Sequence, residues 1–335
     1  GSDSGSAHVY RWDGSAWLHE QKLLAPGGAG GDRFGESVAV DGDAIVVGAY
    51  LDDDLGGDSG SAHVFRWDGS AWAYEQKLLA PDGAAGDNFG QSVSVSGDVA
   101  LAGADRDDGP TLGTDFGAAH VYRWNGATWL HEGKLLAPDG ATIDFFGWSV
   151  AVSGDVAVVG AYGDEEPGLG LNSGSAHVFR WDGAAWAHEL KLLAPDRANG
   201  DQFGRSVAAL GDRIVVGALG DDDLGNGSGS VHAFRWNGAA WVHERKLLAF
   251  DGVANDRYGW SVAVSGEVLV AGANGGDDLG ADAGSAYASR PDRSKLVAPD
   301  RSQGSFGVSA ATSGNVILVG APSEGFGSVH AYRLQ

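Results

Sequence analysis

Carboxylates are the residues here with the clearest capacity for chemistry, and they recur at a fixed interval. Asp52-Asp53-Asp54, Asp105 with Asp107-Asp108, Asp164-Glu165-Glu166, Asp221-Asp222-Asp223 and Asp277-Asp278 form short acidic clusters. A further single aspartate stands two residues before an aromatic at Asp32, Asp87, Asp144, Asp201 and Asp256. Glycine-rich acidic loops suit hard cations, because Ca²⁺ takes about six to eight oxygens from carboxylates, carbonyls and water. Ligand type therefore marks these aspartates as candidate metal ligands and Ca²⁺ as the candidate cofactor. A second reading stays open beside it. An aspartate entering a turn can cap it by accepting backbone N–H bonds, and loop aspartates can simply be solvated.

The ten histidines fall on two repeated positions. His8, His63, His120, His177, His232 and His330 occupy one, and His19, His131, His188 and His243 the other, each before a Glu. A catalytic histidine is singular and paired with a nucleophile or carboxylate in one cleft, whereas residues copied through every repeat are scaffold. There is no nucleophile elbow, no His-Glu-x-x-His and no phosphate loop. The expectation is a chain that is not an enzyme. One position breaks the pattern: the residue after each Phe/Tyr-Gly pair is Glu36, Gln91, Trp148, Arg205, Trp260 or Val308. Variable residues on a fixed frame are where selectivity usually resides. Trp148, Trp260 and Arg205 are therefore candidate ligand-binding residues, with ordinary interior filling as the alternative.

The elements that hold these groups are legible from repetition. Gly5-Ser-Ala-His-Val-Tyr10 returns at Gly60, Gly117, Gly174 and Gly229, with degenerate copies at Gly284 and Gly327. Between them run Phe34-Gly35, Phe89-Gly90, Phe146-Gly147, Phe203-Gly204, Tyr258-Gly259 and Phe306-Gly307. About a dozen residues after each comes a Gly-Ala pair, at Gly48, Gly103, Gly160, Gly217, Gly272 and Gly320. Self-similarity of this period marks solenoids, propellers or arrays. Ser37-Val38-Ala39-Val40 alternates, turns at Asp41-Gly42-Asp43 and resumes at Ala44, which reads as a β-hairpin. A second hairpin turns at Asp13-Gly14, Asp68-Gly69, Asn125-Gly126, Asp182-Gly183 and Asn237-Gly238, where positive φ for a type I′ turn is expected. No segment keeps a 3.6-residue period. Two hairpins per repeat make four strands, the blade of a β-propeller. Trp pairs such as Trp67 and Trp72 bracket each second turn and are expected to pack between strands and blades.

At these residues the chain resembles the FG-GAP repeat family, the modules of integrin α-subunit propellers and of many bacterial surface proteins. The Phe-Gly pair, the Gly-Ala pair and the Gly-x-x-His-Val-Tyr/Phe strand carry the resemblance over essentially the whole chain, and Gly320-Ala321-Pro322 keeps the full Gly-Ala-Pro. The resemblance implies an all-β propeller. The Asp-x-Asp-x-Asp-Gly calcium loop of integrin repeats is missing, since Asp41-Gly42-Asp43 or Ser96-Gly97-Asp98 stands in its place. Strand counting gives six blades of four antiparallel strands in a single domain, 1–335. The last blade (306–335) lacks its own fourth strand, and the N-terminal strand 16–24 is expected to supply it. A truncated seven-bladed propeller is the alternative, because one third strand is left over. In such blades the long connections share a face, so a face lined with carboxylates is expected.

Composition narrows the function. Of 335 residues, 45 are Asp or Glu and 22 Lys or Arg, for a formal charge of −23. That field disfavours nucleic acid and anionic lipid surfaces. No apolar run approaches the ~20 residues of a membrane helix. Cysteine is absent, which excludes disulfides and thiolate chemistry. The chain begins Gly1-Ser2 without Met and reads as an excised segment. The combined expectation is a monomeric, secreted or bacterial cell-surface binding and adhesion module. It would present an acidic loop face to a protein, with Ca²⁺ as a candidate requirement, and without membrane insertion. A carbohydrate-binding propeller using the tryptophans and a structural spacer are the alternatives.

Overall fold

The computed structural model describes residues 2–109, 114–165, 171–277, 283–289, 293–298, 304–322 and 327–334. All regular structure among them is β, as expected. Strands β1 (Ala7–Trp12) and β2 (Trp17–Leu23) form a two-stranded sheet. Blade 1 contains β3 (Val38–Asp41), β4 (Ala44–Ala49), β5 (Ser61–Trp67) and β6 (Trp72–Leu78). Blade 2 contains β7 (Ser92–Ser96), β8 (Val99–Ala104), β9 (Ala118–Trp124) and β10 (Trp129–Leu135). Blade 3 contains β11 (Ser149–Ser153), β12 (Val156–Ala161), β13 (Ser175–Trp181) and β14 (Trp186–Leu192). Blade 4 contains β15 (Phe203–Leu210), β16 (Arg213–Ala218), β17 (Ser230–Trp236) and β18 (Trp241–Leu247). Blade 5 contains β19 (Tyr258–Ser265), β20 (Val268–Ala273), β21 (Ser285–Ser289) and β22 (Arg293–Leu296). Blade 6 contains β23 (Ala310–Ser313), β24 (Val316–Ala321) and β25 (Ser328–Arg333). Each blade pairs its strands in sequence order and antiparallel, as in a β-propeller of six blades.

Two expectations need correction. Residues 16–24 were expected to complete the last blade. Their strand, β2, pairs instead with β1, Ala7 facing Leu23 and Trp12 facing Trp17, while β23, β24 and β25 form a three-stranded sheet. Closing a local hairpin orders far less chain than joining segments some hundreds of residues apart, and β1 carries the full third-strand motif that makes it the natural partner. The leftover third strand is thereby accounted for. Nor is the second hairpin turn a two-residue type I′ turn. Trp67 pairs with Trp72 across four loop residues, and Asp68 Oδ1 accepts bonds from the Ser70 and Ala71 amides at 2.8 Å. Asp or Asn is thus selected as a side-chain cap. In the first hairpin only the glycine takes positive φ (57° at Gly42), as at the leading position of a type II′ turn.

By contact density the chain divides into two compact units, Gly1–Ala157 with Arg180–Ala187, and Val158–Phe179 with His188–Gln335. In the first, the buried second strands β4 and β8 pack with Val64, Leu78, Phe89 and Trp129. In the second, Val215, Val231, Leu247, Tyr258 and Leu269 form the equivalent cluster.

The repeated glycines are where neighbouring backbones meet. A Cβ on Gly103 would lie 1.9 Å from the carbonyl oxygen of Gly147, and one on Gly217 would lie 2.1 Å from that of Gly259. At Gly48, Gly103, Gly217 and Gly272 the Gly of the Gly-Ala pair thus faces the Gly of the next Phe-Gly pair. Ser92 Oγ donates to Gly147 O and Ser206 Oγ to Gly259 O, both at 2.8 Å, and stitches the same junction. The aromatics that precede these two glycines, Phe146 and Tyr258, are buried, as are Phe89 and Phe203. The tryptophans join blades as expected: Trp129 Nε1 donates to Glu75 Oε2 at 2.8 Å, and the Arg66 guanidinium lies 4.4 Å from the Trp124 ring centroid.

Candidate functional site

The aspartates that precede each aromatic are buried turn caps. Asp32 Oδ2 accepts from the Ala29 amide at 2.6 Å, and Asp87 from Ala84 at 2.7 Å. Asp144 and Asp201 accept from Ala141 and Ala198 at 2.6 Å, and Asp256 accepts from Val253 at 2.9 Å. At Asp87, Asp201 and Asp256 burial disfavours the charged form and is only partly offset by these bonds. Asp87 and Asp201 are each pushed up to about 6, and Asp256 is raised as well.

The loops between second and third strands use their carboxylates differently. Their leading aspartates are buried and bind a lysine of the fourth strand. Lys77 Nζ lies 2.6 Å from Asp52 Oδ2, Lys134 2.6 Å from Asp107, Lys191 2.7 Å from Asp164 and Lys246 2.6 Å from Asp221. Lys246 also reaches Asp196 and Asp223, and Lys134 reaches Asp82 at 2.7 Å. The β-ladder explains this, since His63 faces Lys77, His120 faces Lys134 and His232 faces Lys246, so each ammonium emerges beside the loop above its histidine. Asp53 and Asp222 are exposed and fold their own loops, accepting from the Asp58 and Gly227 amides. Asp54 and Asp223 are exposed lysine partners. Asp105 is buried, 4.0 Å from Arg106 Nε, and Asp277 is exposed. Asp278 lies outside the described residues.

Under the lysines runs a polar chain that sequence reading did not find. Ser61, Ser175 and Ser230, all buried, bridge the leading aspartate and the third-strand histidine. Ser61 Oγ lies 3.0 Å from Asp52 Oδ2 and 3.1 Å from His63 Nε2; Ser230 Oγ lies 2.9 Å from Asp221 Oδ2 and 3.3 Å from His232 Nε2. His177 Nδ1 and His232 Nδ1 in turn lie 3.1 Å from His188 Nε2 and His243 Nε2. Protonation states fix the direction of these bonds. Burial works against ionised Asp164, yet bonds from Ser175 and Lys191, with His177 Nε2 3.9 Å away, hold it down at about 2, so it is an acceptor. Ser175 must then give its hydroxyl proton to Asp164, and His177 Nε2–H donates to Ser175. Burial keeps His63 and His232 neutral, lowered to about 4. Aspartate, serine and histidine therefore meet in an order that cannot activate the serine, because its proton is committed to the carboxylate and not to the imidazole. The missed signal was the lysine, repeated in step with an acidic cluster one strand away.

The variable position yields one compact group in the second unit. The Arg205 guanidinium carbon sits 4.9 Å from the Tyr162 ring centroid and 5.3 Å from that of Trp260, and the Arg257 guanidinium carbon lies 5.9 Å from the Trp260 centroid. Trp260 and Arg205 are half-buried and brought together; Trp148 is half-buried in the first unit.

The geometry gives each signature pair a physical role: Phe fills the interface, and the two glycines let backbones touch. A profile described as the FG-GAP repeat matches residues 17–65, 72–122, 129–179, 186–234 and 241–288. The chain belongs to the FG-GAP repeat family. Each matched segment runs from a fourth strand through the next three, so the FG-GAP unit spans the junction of two blades and contains one glycine of each kind, with the close partner of its Gly-Ala glycine in the next unit at Gly48, Gly103 and Gly217. No protein of curated function matches the chain significantly.

Proposed function

We propose that this FG-GAP propeller is a non-catalytic binding module of a secreted or cell-surface protein, engaging a protein ligand through the loops between second and third strands. The observation that carries this reading is the division of labour within those loops. The leading carboxylate is buried and neutralised by lysine, while the tip exposes acid and an aliphatic side chain together. In blade 1 the tip is Asp53-Asp54-Leu55, and in blade 4 it is Asp222-Asp223-Leu224, with Leu55 43% and Leu224 41% exposed. An exposed leucine flanked by carboxylates suits a partner with an apolar patch ringed by Lys or Arg. Secretion and a bacterial surface are part of the proposal, supported by family, charge and the absence of cysteine.

Ca²⁺ has a competitor here. Lysine ammonium groups already supply counter-charge to Asp52, Asp107, Asp164 and Asp221. Binding through the tips is therefore expected to survive EDTA, and the melting temperature of chelator-stripped protein is expected to be the same with and without added Ca²⁺. A calcium-dependent melt would restore the metal to this reading.

The discriminating experiment is an array of extracellular proteins and glycans, probed with the native chain, with a tip variant (Asp53→Asn, Leu55→Ser, Asp222→Asn, Leu224→Ser), and with Trp260→Ala. Protein binding lost in the tip variant and kept in Trp260→Ala is expected. Glycan binding lost only in Trp260→Ala would favour a lectin, for which the Arg205–Trp260 stack is the specific support. Silence of all three would leave a spacer.

A further inference from the structure

Blade 2 departs from the polar chain at one atom. Ala118 stands where the other blades place Ser61, Ser175 and Ser230. Without that hydroxyl nothing bridges Asp107 and His120. His120 is fully buried and its Nε2 has no hydrogen-bond partner. A carboxylate oxygen of Asp82, one of Asp107 and a ring nitrogen of His120 nevertheless lie within 4.8 Å of one another. In blade 3 the corresponding Asp164 Oδ2 and His177 Nε2 are 3.9 Å apart. Two ligands on one tetrahedral zinc are about 3.3 Å apart, so modest closure suffices.

We infer that blade 2 holds a site for one divalent transition-metal ion of the zinc type, coordinated by His120 Nε2, Asp107 and Asp82, which the ion enters by displacing the Lys134 ammonium. The donor set of one imidazole and two carboxylates favours Zn²⁺ over Ca²⁺, which requires more oxygens. Burial keeps the imidazole neutral and able to coordinate. The other ring nitrogen has the partner such a ligand uses, because His120 Nδ1 lies 3.1 Å from His131 Nε2 and can donate to it, fixing the tautomer with a free Nε2 lone pair. In the serine-bearing blades Nε2 carries the proton instead.

The displaced cation is held by fewer carboxylates than its counterpart in blade 4. Lys134 has two carboxylate partners, Asp82 and Asp107, whereas Lys246 has three, since Gly109 stands where blade 4 has Asp223. The blade 4 group of Asp196, Asp221 and His232 is as compact, yet Ser230 occupies Nε2 there. It serves as an internal control that should not bind.

The test is titration of tag-free, chelator-stripped protein with Zn²⁺ against a chromophoric chelator, with Co²⁺ absorption as a second readout. One tight site with a tetrahedral cobalt spectrum is expected. Ala118→Ser, the residue used by the other blades, is expected to fold and to weaken binding at least roughly tenfold by restoring the bridge. Ser230→Ala should create a second, weaker site. No tight binding, or binding that Ala118→Ser leaves unchanged, overturns the assignment.

Discussion

Blades 2 and 4 share buried phenylalanine, glycine junction, histidine pair and lysine clasp, and within the cluster around that lysine they contrast at two small positions: Ala118 against Ser230, and Gly109 against Asp223. In blade 4 both carboxylate oxygens of Asp221, the Ser230 hydroxyl and both ring nitrogens of His232 have partners; in blade 2 a buried imidazole nitrogen is left over. Buried polar groups are normally satisfied, so one missing hydroxyl turns a structural element into a receptive one. Duplication supplies the frame, and loss of a single atom in one copy can supply function.

The largest effects should not distinguish the blades at all. Gly103→Ala and Gly217→Ala each drive a methyl to about 2 Å from a backbone carbonyl of the neighbouring blade, with no flexible side chain to give way. Each is expected to cost about 3 kcal/mol or more, or to abolish folding, as read by urea unfolding. A fully stable Gly103→Ala beside an unfolded Gly217→Ala would show that the junctions are not equivalent and would undo the comparison.

The next effect should have opposite sign in the two blades. Ser230→Ala leaves buried His232 Nε2 and Asp221 each short of a partner, and is expected to cost about 1–3 kcal/mol. Ala118→Ser adds those bonds to blade 2 and is expected to stabilise the metal-free chain by about 1 kcal/mol. Urea midpoints of the two variants in EDTA provide the measurement. Destabilisation by both would mean that blade 2 has no room for the hydroxyl.

How far the sequence disclosed all this depends on where each residue finds its partner. Phe-Gly, Gly-Ala and the histidine strand are read directly, because their periodicity is local and their roles are duplicated. The Asp-Gly and Asn-Gly strings reveal where the turns lie but not their type, since the side-chain cap of Asp68 looks, as a string, like a type I′ pair. The acidic clusters were visible but their occupant was not. Lys77 is 25 residues from Asp52, and only the register of third and fourth strands brings them within 2.6 Å. Ala118 escaped notice because an alanine in place of a serine gives no signal until the serine's bonds in the other blades are known.

The smallest contrast between the blades concerns protons. Asp87 caps the turn beside the blade 2 loop and Asp201 the turn beside the blade 4 loop, and burial raises each from 3.8 to about 6. A folded pKa above the unfolded one contributes stability that is present below about pH 3.8 and is lost as pH rises through 6. At neutral pH both are ionised at a cost. Asn keeps an oxygen for the Ala84 or Ala198 amide and carries no charge. Asp87→Asn and Asp201→Asn should therefore raise the urea midpoint near pH 8 and lose that advantage towards pH 4. The buried histidines run the other way. His63 and His232, lowered from 6.5 to about 4, contribute stability above pH 6.5 that disappears as pH falls through 4. The native chain should thus lose stability on acidification below 6.5 less steeply than either Asn variant. The two variants should match each other, since the caps of both blades accept the same amide bond. An Asn advantage that is constant from pH 4 to 8 would mean that the caps are not desolvated, and a difference between Asp87→Asn and Asp201→Asn would extend the divergence of the two blades from their histidines to their turns.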